Sequence, residues 1–453
     1  MKSKLALTFT FRWFALATLA IACLPQPLGA QAETDQRIER LEERILTLEA
    51  GSGNTNSTTG LPEWLEQFRI SGSANIGFID AETDSFEGER SFNVKDVRLF
   101  IDTSLGSDVQ LGETLIVRDF GFSLELNAVR RSTFGPDLPS GLLGETYLEA
   151  RGILDSDWLH LQAGRFQLPL GESYLRYSRG YGEKAFISNT VGGPWYWDEG
   201  VRFFGNAAAA DWGYVASISD GSTSFNGNTN QEPQYTLKVY ADPADWLHVS
   251  ATGLLANEVG STSSGGRSAL WLGEMIPFSF GSLTSVPNFD GGSAVADGPN
   301  QLDGVSLFGA DIVMRPDAFQ QIWLAYGVVE IDSSGSRSFD RRVTYWIAEY
   351  VIQGERISPS FTPFYAGVRA SGIGTYHDEE GYFSDVRLLG SLGYNLSSTE
   401  AYSAVVGWHL GEQVALRAEY TVYQNNVVSG VTPAIRHAAN DTDYFSIELG
   451  ISF

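Results

Sequence analysis

The carboxyl-terminal stretch sets the pattern for most of the chain. Phe445, Ile447, Leu449, Ile451 and Phe453 fall on one face of an extended segment, and Tyr444, Ser446, Glu448, Gly450 and Ser452 on the other. Leu416, Ala418, Tyr420 and Val422 alternate in the same way with Arg417, Glu419 and Thr421. Near the other end, Phe68, Ile70, Gly72, Ala74, Ile76 and Phe78 alternate with Arg69, Ser71, Ser73, Asn75 and Gly77. Successive side chains of a strand point to opposite faces, so a period of two marks strands with one apolar and one polar face. From Leu61 onward such segments recur, roughly 9–14 residues long and punctuated by Gly, Asp, Asn, Ser and Pro. A tilted strand crossing a bilayer needs ~9–11 residues, whereas soluble strands average ~5–6. The fold class expected is therefore all-β, an antiparallel transmembrane barrel.

Connections alternate between short and long, as in barrels with tight turns at one end and extended loops at the other. Short turns are expected at Asp155-Ser156, Ala209–Asp211, Asp242–Ala244, Pro316-Asp317 and Glu412-Gln413. Long connections are expected at Ala81–Arg90, Arg131–Leu143, Leu170–Asp198, Gly221–Pro233, Asn257–Gly304, Ser333–Asp340 and Asn425–Asp441. Counting every alternating stretch, Ser268–Ile276 and Asp385–Leu396 included, gives 18 strands. That count puts the Pro316-Asp317 and Asp242–Ala244 turns on opposite sides of the membrane, although both are tight. Assigning both doubtful stretches to loops gives 16 strands with every tight turn on the side of the C-terminus. Sixteen is the number expected, with 18 as the alternative.

The first sixty residues follow other rules. Lys2, Lys4 and Arg12 precede the apolar run Trp13–Leu24, then come Pro25, Pro27 and Ala30-Gln31-Ala32. This order reads as a secretory signal peptide over residues 1–32. In residues 33–50, Ile38, Leu41, Ile45 and Leu48 are spaced 3, 4 and 3 with charges around them, an a/d seam for a short helical coiled coil. Residues 51–62 read as a flexible linker, since Gly51–Gly60 has no apolar residue. Residues 63–453 are assigned to the barrel, in the bacterial outer membrane, with the coiled coil in the periplasm.

Composition narrows the chemistry. The net charge of −25 argues against nucleic acid, because phosphate neutralisation needs a surplus of Lys and Arg. Losing Lys2, Lys4 and Arg12 with the signal peptide takes it to −28, leaving 27 of the 30 basic residues against 55 acidic ones. The single cysteine, Cys23, lies in that same segment, so disulfides have no place in the barrel. The 43% hydrophobic content is expected on outward strand faces, with no large internal core. The five histidines (His160, His248, His377, His409, His437) are scattered, with no H-x-x-x-H or H-E-x-x-H spacing. No metal, cofactor or enzymatic role is expected.

Several stretches resemble those of phosphate-selective porins of the O/P type. Val94–Leu105 (VKDVRLFIDTSL) is similar to an early strand of that family. Leu159–Gly171 (LHLQAGRFQLPLG) resembles its G-[RQ]-F-x-x-P-x-G segment, and Val405–Tyr420 (VVGWHLGEQVALRAEY) its penultimate hairpin. The terminal Phe453 resembles the signal read by the barrel-assembly machinery. The resemblance implies a homotrimeric, 16-stranded outer-membrane channel. Its expected partners are membrane lipid, lipopolysaccharide, and small solutes or inorganic ions, phosphate and other oxyanions among them. The acidic excess departs from the basic ladder a phosphate channel needs.

A barrel of this size encloses water, and inward charges set its selectivity. Clean alternation places Arg69, Asp96, Arg98, Glu125, Lys238, Arg417 and Glu419 on the pore-lining face, and Glu448 beside them. In general porins the third external loop folds into the barrel, and here it is Leu170–Asp198. Glu172, Arg176, Arg179, Glu183 and Lys184 are its candidate constriction residues, among Tyr174, Tyr177 and Tyr181. Basic groups facing carboxylates would there impose a transverse field. The function expected is passive diffusion of small hydrophilic solutes. Two rivals stay open: an outer-membrane hydrolase using His160 or His409, and a surface-binding barrel without a conducting pore.

Overall fold

The computed structural model describes residues 68–81, 90–129, 143–172, 185–188, 190–192, 194–195, 197–207, 211–220, 233–256, 271–272, 301–334, 341–374, 396–427 and 442–453. The expected signal peptide, coiled coil and linker lie outside them. The strands are β1 (Phe68–Ala81), β2 (Arg90–Leu111), β3 (Thr114–Val129), β4 (Leu143–Arg151), β5 (His160–Gln167), β6 (Pro194–Trp195), β7 (Trp197–Ala207), β8 (Trp212–Ser219) and β9 (Gln234–Ala244). They continue as β10 (Leu247–Ala256), β11 (Trp271–Leu272), β12 (Gln301–Met314), β13 (Gln320–Ser334), β14 (Arg341–Gln353), β15 (Phe364–Gly374), β16 (Leu396–His409), β17 (Val414–Val427) and β18 (Thr442–Ser452).

Sixteen of these, all but β6 and β11, make one closed antiparallel barrel. Closure is made by β1 against β18, with Ile76 opposite Leu449 and Gly77 opposite Glu448. Gly72 and Phe453 exchange backbone hydrogen bonds of 2.8 and 3.0 Å, so the last residue of the chain seals the seam. Closure leaves no open sheet edge, which is what lets strands cross a bilayer with every backbone group paired. Sixteen matches the sequence expectation. Of Ser268–Ile276 only Trp271–Leu272 is described, and among the described residues it pairs with Pro194–Trp195 in a separate two-stranded sheet.

The tight connections fall at one end. Gly112-Glu113, Asp245-Trp246 and residues 315–319 join neighbouring strands there, as does the 3₁₀ turn Ile153–Asp155. The turn expected at Asp242–Ala244 comes slightly later, because β9 runs on through Pro243 to Ala244. Outward side chains are apolar and exposed, Ile76, Leu237, Leu255, Phe308, Val368 and Val406 among them. Near the tight turns Trp158 packs on Trp212 with ring centroids 4.9 Å apart, and Phe364 stacks on Trp408 at 5.5 Å. Aromatic rings at this level fit a membrane-interface girdle.

One expectation about the interior needs correction. On β12, β13 and β14 most inward positions are apolar too: Val305, Leu307, Val313, Trp323, Ala325, Val329, Val343, Tyr345 and Ile347 are all buried. Val313, Trp323, Ala325 and Ile347 form one cluster. The barrel therefore does contain an internal hydrophobic core. Stretches such as Gln321–Ile331 (QIWLAYGVVEI) are apolar on both faces, the sign of a strand covered on both sides.

Candidate functional site in the barrel interior

The connection between β5 and β7 enters the barrel and is bonded to its inner wall at two places. After Gln167 the chain turns in over Leu168-Pro169-Leu170, where Leu170 N donates to Leu168 O at 2.8 Å. That i to i+2 bond closes a tight turn around Pro169, whose ring fixes φ near the value the turn requires. Leu168 and Leu170 are fully buried. Gly171 follows with φ 64, and a Cβ there would lie 2.7 Å from the Asp311 carboxylate. Only glycine fits both the backbone angle and the approach to the wall.

The first anchor follows directly. Glu172 Oε1 accepts from Lys238 Nζ at 2.5 Å, His248 Nε2 at 2.9 Å and Ser250 Oγ at 3.1 Å. Lys238 also donates to Gly171 O at 3.0 Å, and Gly171 N donates to Thr252 Oγ1 at 3.0 Å. His248 Nδ1 bonds the Asp242 carboxylate at 2.8 Å, which fixes the ring between two acids. Asp311 accepts from Trp323 Nε1 at 2.9 Å beneath the glycine. Strands β9, β10, β12 and β13 thus hold the incoming end of the segment.

The second anchor lies on β15, β16 and β17. The Glu419 carboxylate accepts from the backbone N–H of Ile187 at 2.5 Å and of Ser188 at 3.1 Å, and from the Ser188 hydroxyl. Thr421 Oγ1 donates to the same carboxylate at 2.8 Å. Arg369 donates to Ser188 O at 3.0 Å and stacks over the Phe186 ring, 4.4 Å from its centroid. Tyr365 donates to Ala185 O at 2.9 Å, and Val191 N donates to Ser371 Oγ at 2.9 Å. Phe186 fills a pocket of Val351, Tyr365 and Val405. Gly192, with φ 94, passes close to Tyr345 and Ile373 as the chain leaves. A charge-assisted bond from a backbone amide to a carboxylate is about twice as strong as a neutral one.

Elsewhere the inner wall carries paired charges. Arg98 meets Glu125 at 3.4 Å, Arg369 meets Glu349 at 3.9 Å, and Arg417 meets Glu448 at 3.2 Å. Glu125 also accepts from Glu145 N at 3.0 Å, and Glu145 in turn accepts from Gln167 N at 3.0 Å. Arg165 lies 3.3 Å from Glu199. Among the described residues no group of three His, Cys, Asp or Glu is arranged to hold a metal ion.

No protein-family model matches the sequence, and no curated protein matches it. Solved structures do match in fold. The outer membrane channel DcaP of Acinetobacter baumannii is 11% identical, with a TM-score of 0.53 over 85% of this chain and 97% of that one. In-vitro folded OmpT, an outer membrane protein of Vibrio cholerae, is 10% identical, with a TM-score of 0.51 over 85% and 97%. Its trimer form gives 0.50, at 10% identity over 85% and 99%. The fold is that of a porin-like outer-membrane β-barrel. At these identities the likeness speaks of architecture alone.

Within that barrel the expected site residues fall into three groups. Arg98, Glu125, Lys238, Arg417 and Glu419 are inward and buried, Lys238 and Glu419 as anchors of the segment and the other three in ion pairs. Glu172 is buried in the first anchor, whereas Arg69, opposite Asp102 on β2, is exposed. The backbone of Asp96 belongs to β2, but its side chain lies outside the described set, as do Arg176, Arg179, Glu183 and Lys184 entirely. Asp311, His248, Arg369, Ser371 and Tyr365 were missed. Each sits at an inward position of its strand, so parity exposes the face, but nothing local says which inward residue meets a segment from 180 residues away.

Proposed function

We propose that this protein is an outer-membrane porin, a water-filled channel for passive diffusion of small hydrophilic solutes and ions. The observation that carries the proposal is the segment between β5 and β7, hydrogen-bonded to β9 and β10 at Gly171-Glu172 and to β15 and β17 at Ala185–Val191. A segment so held narrows the interior at a fixed place, and a narrowing with polar lining is what sets size and charge selection in a pore. The likeness to a structure described as an outer membrane channel supports the same reading. The trimer form of a matching barrel supports a homotrimer. The tight-turn end then faces the periplasm, and lipid and lipopolysaccharide surround the outer wall.

Arg176, Arg179 and Lys184, with Glu172 and Glu183 near them in sequence, are assigned to the constriction. Pairing of Arg98, Arg369 and Arg417 with carboxylates supports a weakly selective pore over a phosphate-selective one, since paired charges leave little net field. No covalent step is part of the reading. Planar-bilayer recording in a KCl gradient tests it: stepwise conductance with a small reversal potential is expected. Absence of conductance rejects the channel and favours a surface-binding barrel. Strong anion selectivity rejects the weakly selective version. Replacing Arg176, Arg179 and Lys184 by Ala shifts the reversal potential toward cations; no shift removes them from the constriction.

A further inference from the structure

The first anchor contains a group whose charge changes near neutral pH. His248, the second residue of β10, lies between two acids, with Nδ1 2.8 Å from Asp242 Oδ1 and Nε2 2.9 Å from Glu172 Oε1. An ionised carboxylate only accepts, so both nitrogens must carry a proton for both bonds to form. The ring that fits this place is the imidazolium. From β9, Lys238 donates to the same Glu172 oxygen and the Tyr240 ring stacks on the imidazole, with centroids 5.8 Å apart. From β12, the residue in register with His248 is the uncharged Val313, and the Asp311 carboxylate lies against Gly171. The imidazole is partly exposed and Asp242 is exposed, so the pair exchanges protons with water at the tight-turn end.

We propose that protonation of His248 strengthens the first anchor, so that the segment between β5 and β7 is held more firmly in mild acid than above neutral pH. A neutral ring donates at one nitrogen only. With its proton on Nδ1, a lone pair at Nε2 faces Glu172 and repels it. With its proton on Nε2, Asp242 loses its donor, and the bond to Glu172 loses the share of its strength that the cation supplied. In both cases Lys238 is left as the only cation paired with Glu172 among the described residues. The Ile187 and Ser188 amides of the second anchor bond Glu419 with no imidazole between them, so they serve as an internal reference. The bearing of this switch on permeation rests on the channel reading, whereas the strength of the anchor is measured without it.

The test is hydrogen exchange of the full chain purified in detergent, at about pH 5.5 and about pH 8, corrected for the intrinsic pH dependence of amide exchange. The Gly171 amide, which bonds Thr252 Oγ1, should be at least about threefold better protected at the lower pH, while the Ile187 and Ser188 amides are unchanged. His248→Gln should remove the difference. Asp242→Asn should shrink it, because an amide donates to an unprotonated Nδ1 as readily as it accepts from a protonated one. Heat-modifiable gel mobility identifies which variants have closed barrels, and Asp242→Asn, at an exposed position, serves if His248→Gln fails to assemble. Gly171 protection that does not change with pH, a change shared equally by both anchors, or a difference retained in the closed variants would each overturn the proposal. No arm of the test needs conductance, so a barrel that fails to conduct rejects the channel reading alone.

Discussion

The inner wall is built in two ways. Across β12, β13 and β14 it is mostly apolar, with Trp323, Val329, Val343 and Ile347 buried and Asp311 and Glu349 the charged exceptions. Across β17, β18 and β2 it carries charges, with Glu419, Arg417, Glu448 and Arg98 buried. Both halves obey the same alternation and the same hydrogen-bonded ladder. They differ in how inward groups are satisfied. The apolar half gains from removal of area from water, about 1.5–3 kcal/mol for each large side chain fully buried. The polar half is held by ion pairs and by carboxylates that collect backbone donors, where the gain is offset by desolvation. The segment between β5 and β7 is bonded to polar groups of the wall at Gly171-Glu172 and at Ala185–Val191.

The largest expected effect lies in the apolar half. Trp323→Ala removes a fully buried ring and its bond to Asp311, and should lower stability by about 3–5 kcal/mol in urea titrations of the folded barrel. A loss below about 1 kcal/mol would mean that this face is wet, and the contrast between the halves would fall.

In the polar half the comparison sharpens into a cycle. Removing Glu448 alone leaves Arg417 buried and should cost roughly 3–5 kcal/mol, at or below the tryptophan effect, whereas the double change Arg417→Met with Glu448→Met should be nearly neutral. Equal costs for the single and double variants would show that the pair does not act as a pair.

Next comes the second anchor. Glu419→Leu strips the acceptor from the Ile187 and Ser188 amides, about 1–3 kcal/mol for each donor left buried and unpaired. The segment should then detach at that end, and channel conductance should rise while the barrel stays folded. Unchanged conductance would separate the anchor from the narrowing.

The smallest effect is a pH dependence at the tight-turn end. Partial burial raises the Asp317 carboxyl, but hydrogen bonds from Gln320, the Phe319 amide and Arg356 outweigh it and hold the group below the usual carboxylate range. A carboxyl depressed in the folded state contributes stability above its unfolded value, near 3.9, and loses it as pH falls through the folded one. The stability difference between wild type and Asp317→Ala should be present at neutral pH and shrink in acid. A difference that grows in acid would contradict this assignment.

Much of this architecture was legible in the alternation, because a strand between lipid and water must alternate. Ser446 and Glu448 against Phe445 and Ile447 is the clearest case, and tight turns such as Pro316-Asp317 fixed the parity that led to sixteen strands. The internal core was not legible in that way. Gln321–Ile331 is apolar on both faces, which reads equally well as a strand in a soluble sandwich. The first anchor was half visible: Glu172 and Lys238 stood out as charges, but their contact joins distant strands, and His248 and Asp311 carry no local mark. Gly171 could have been flagged, since a glycine closing Leu168-Pro169-Leu170 signals a turn that needs a positive φ.

The central claim is that the segment between β5 and β7 is fixed inside the barrel and sets its opening. Ser188 Oγ and Ser403 Oγ are 3.3 Å apart, which brings the two side chains together as a cysteine pair for cross-linking, and the only native cysteine is Cys23. Single-channel recording of the Ser188→Cys, Ser403→Cys variant before and after oxidation tests the claim directly. The account predicts that the disulfide forms readily and that oxidised and reduced channels conduct equally, because the bond only locks what is already in place. Failure to form the bond, or a fall in conductance on oxidation, would show that the segment ordinarily lies elsewhere.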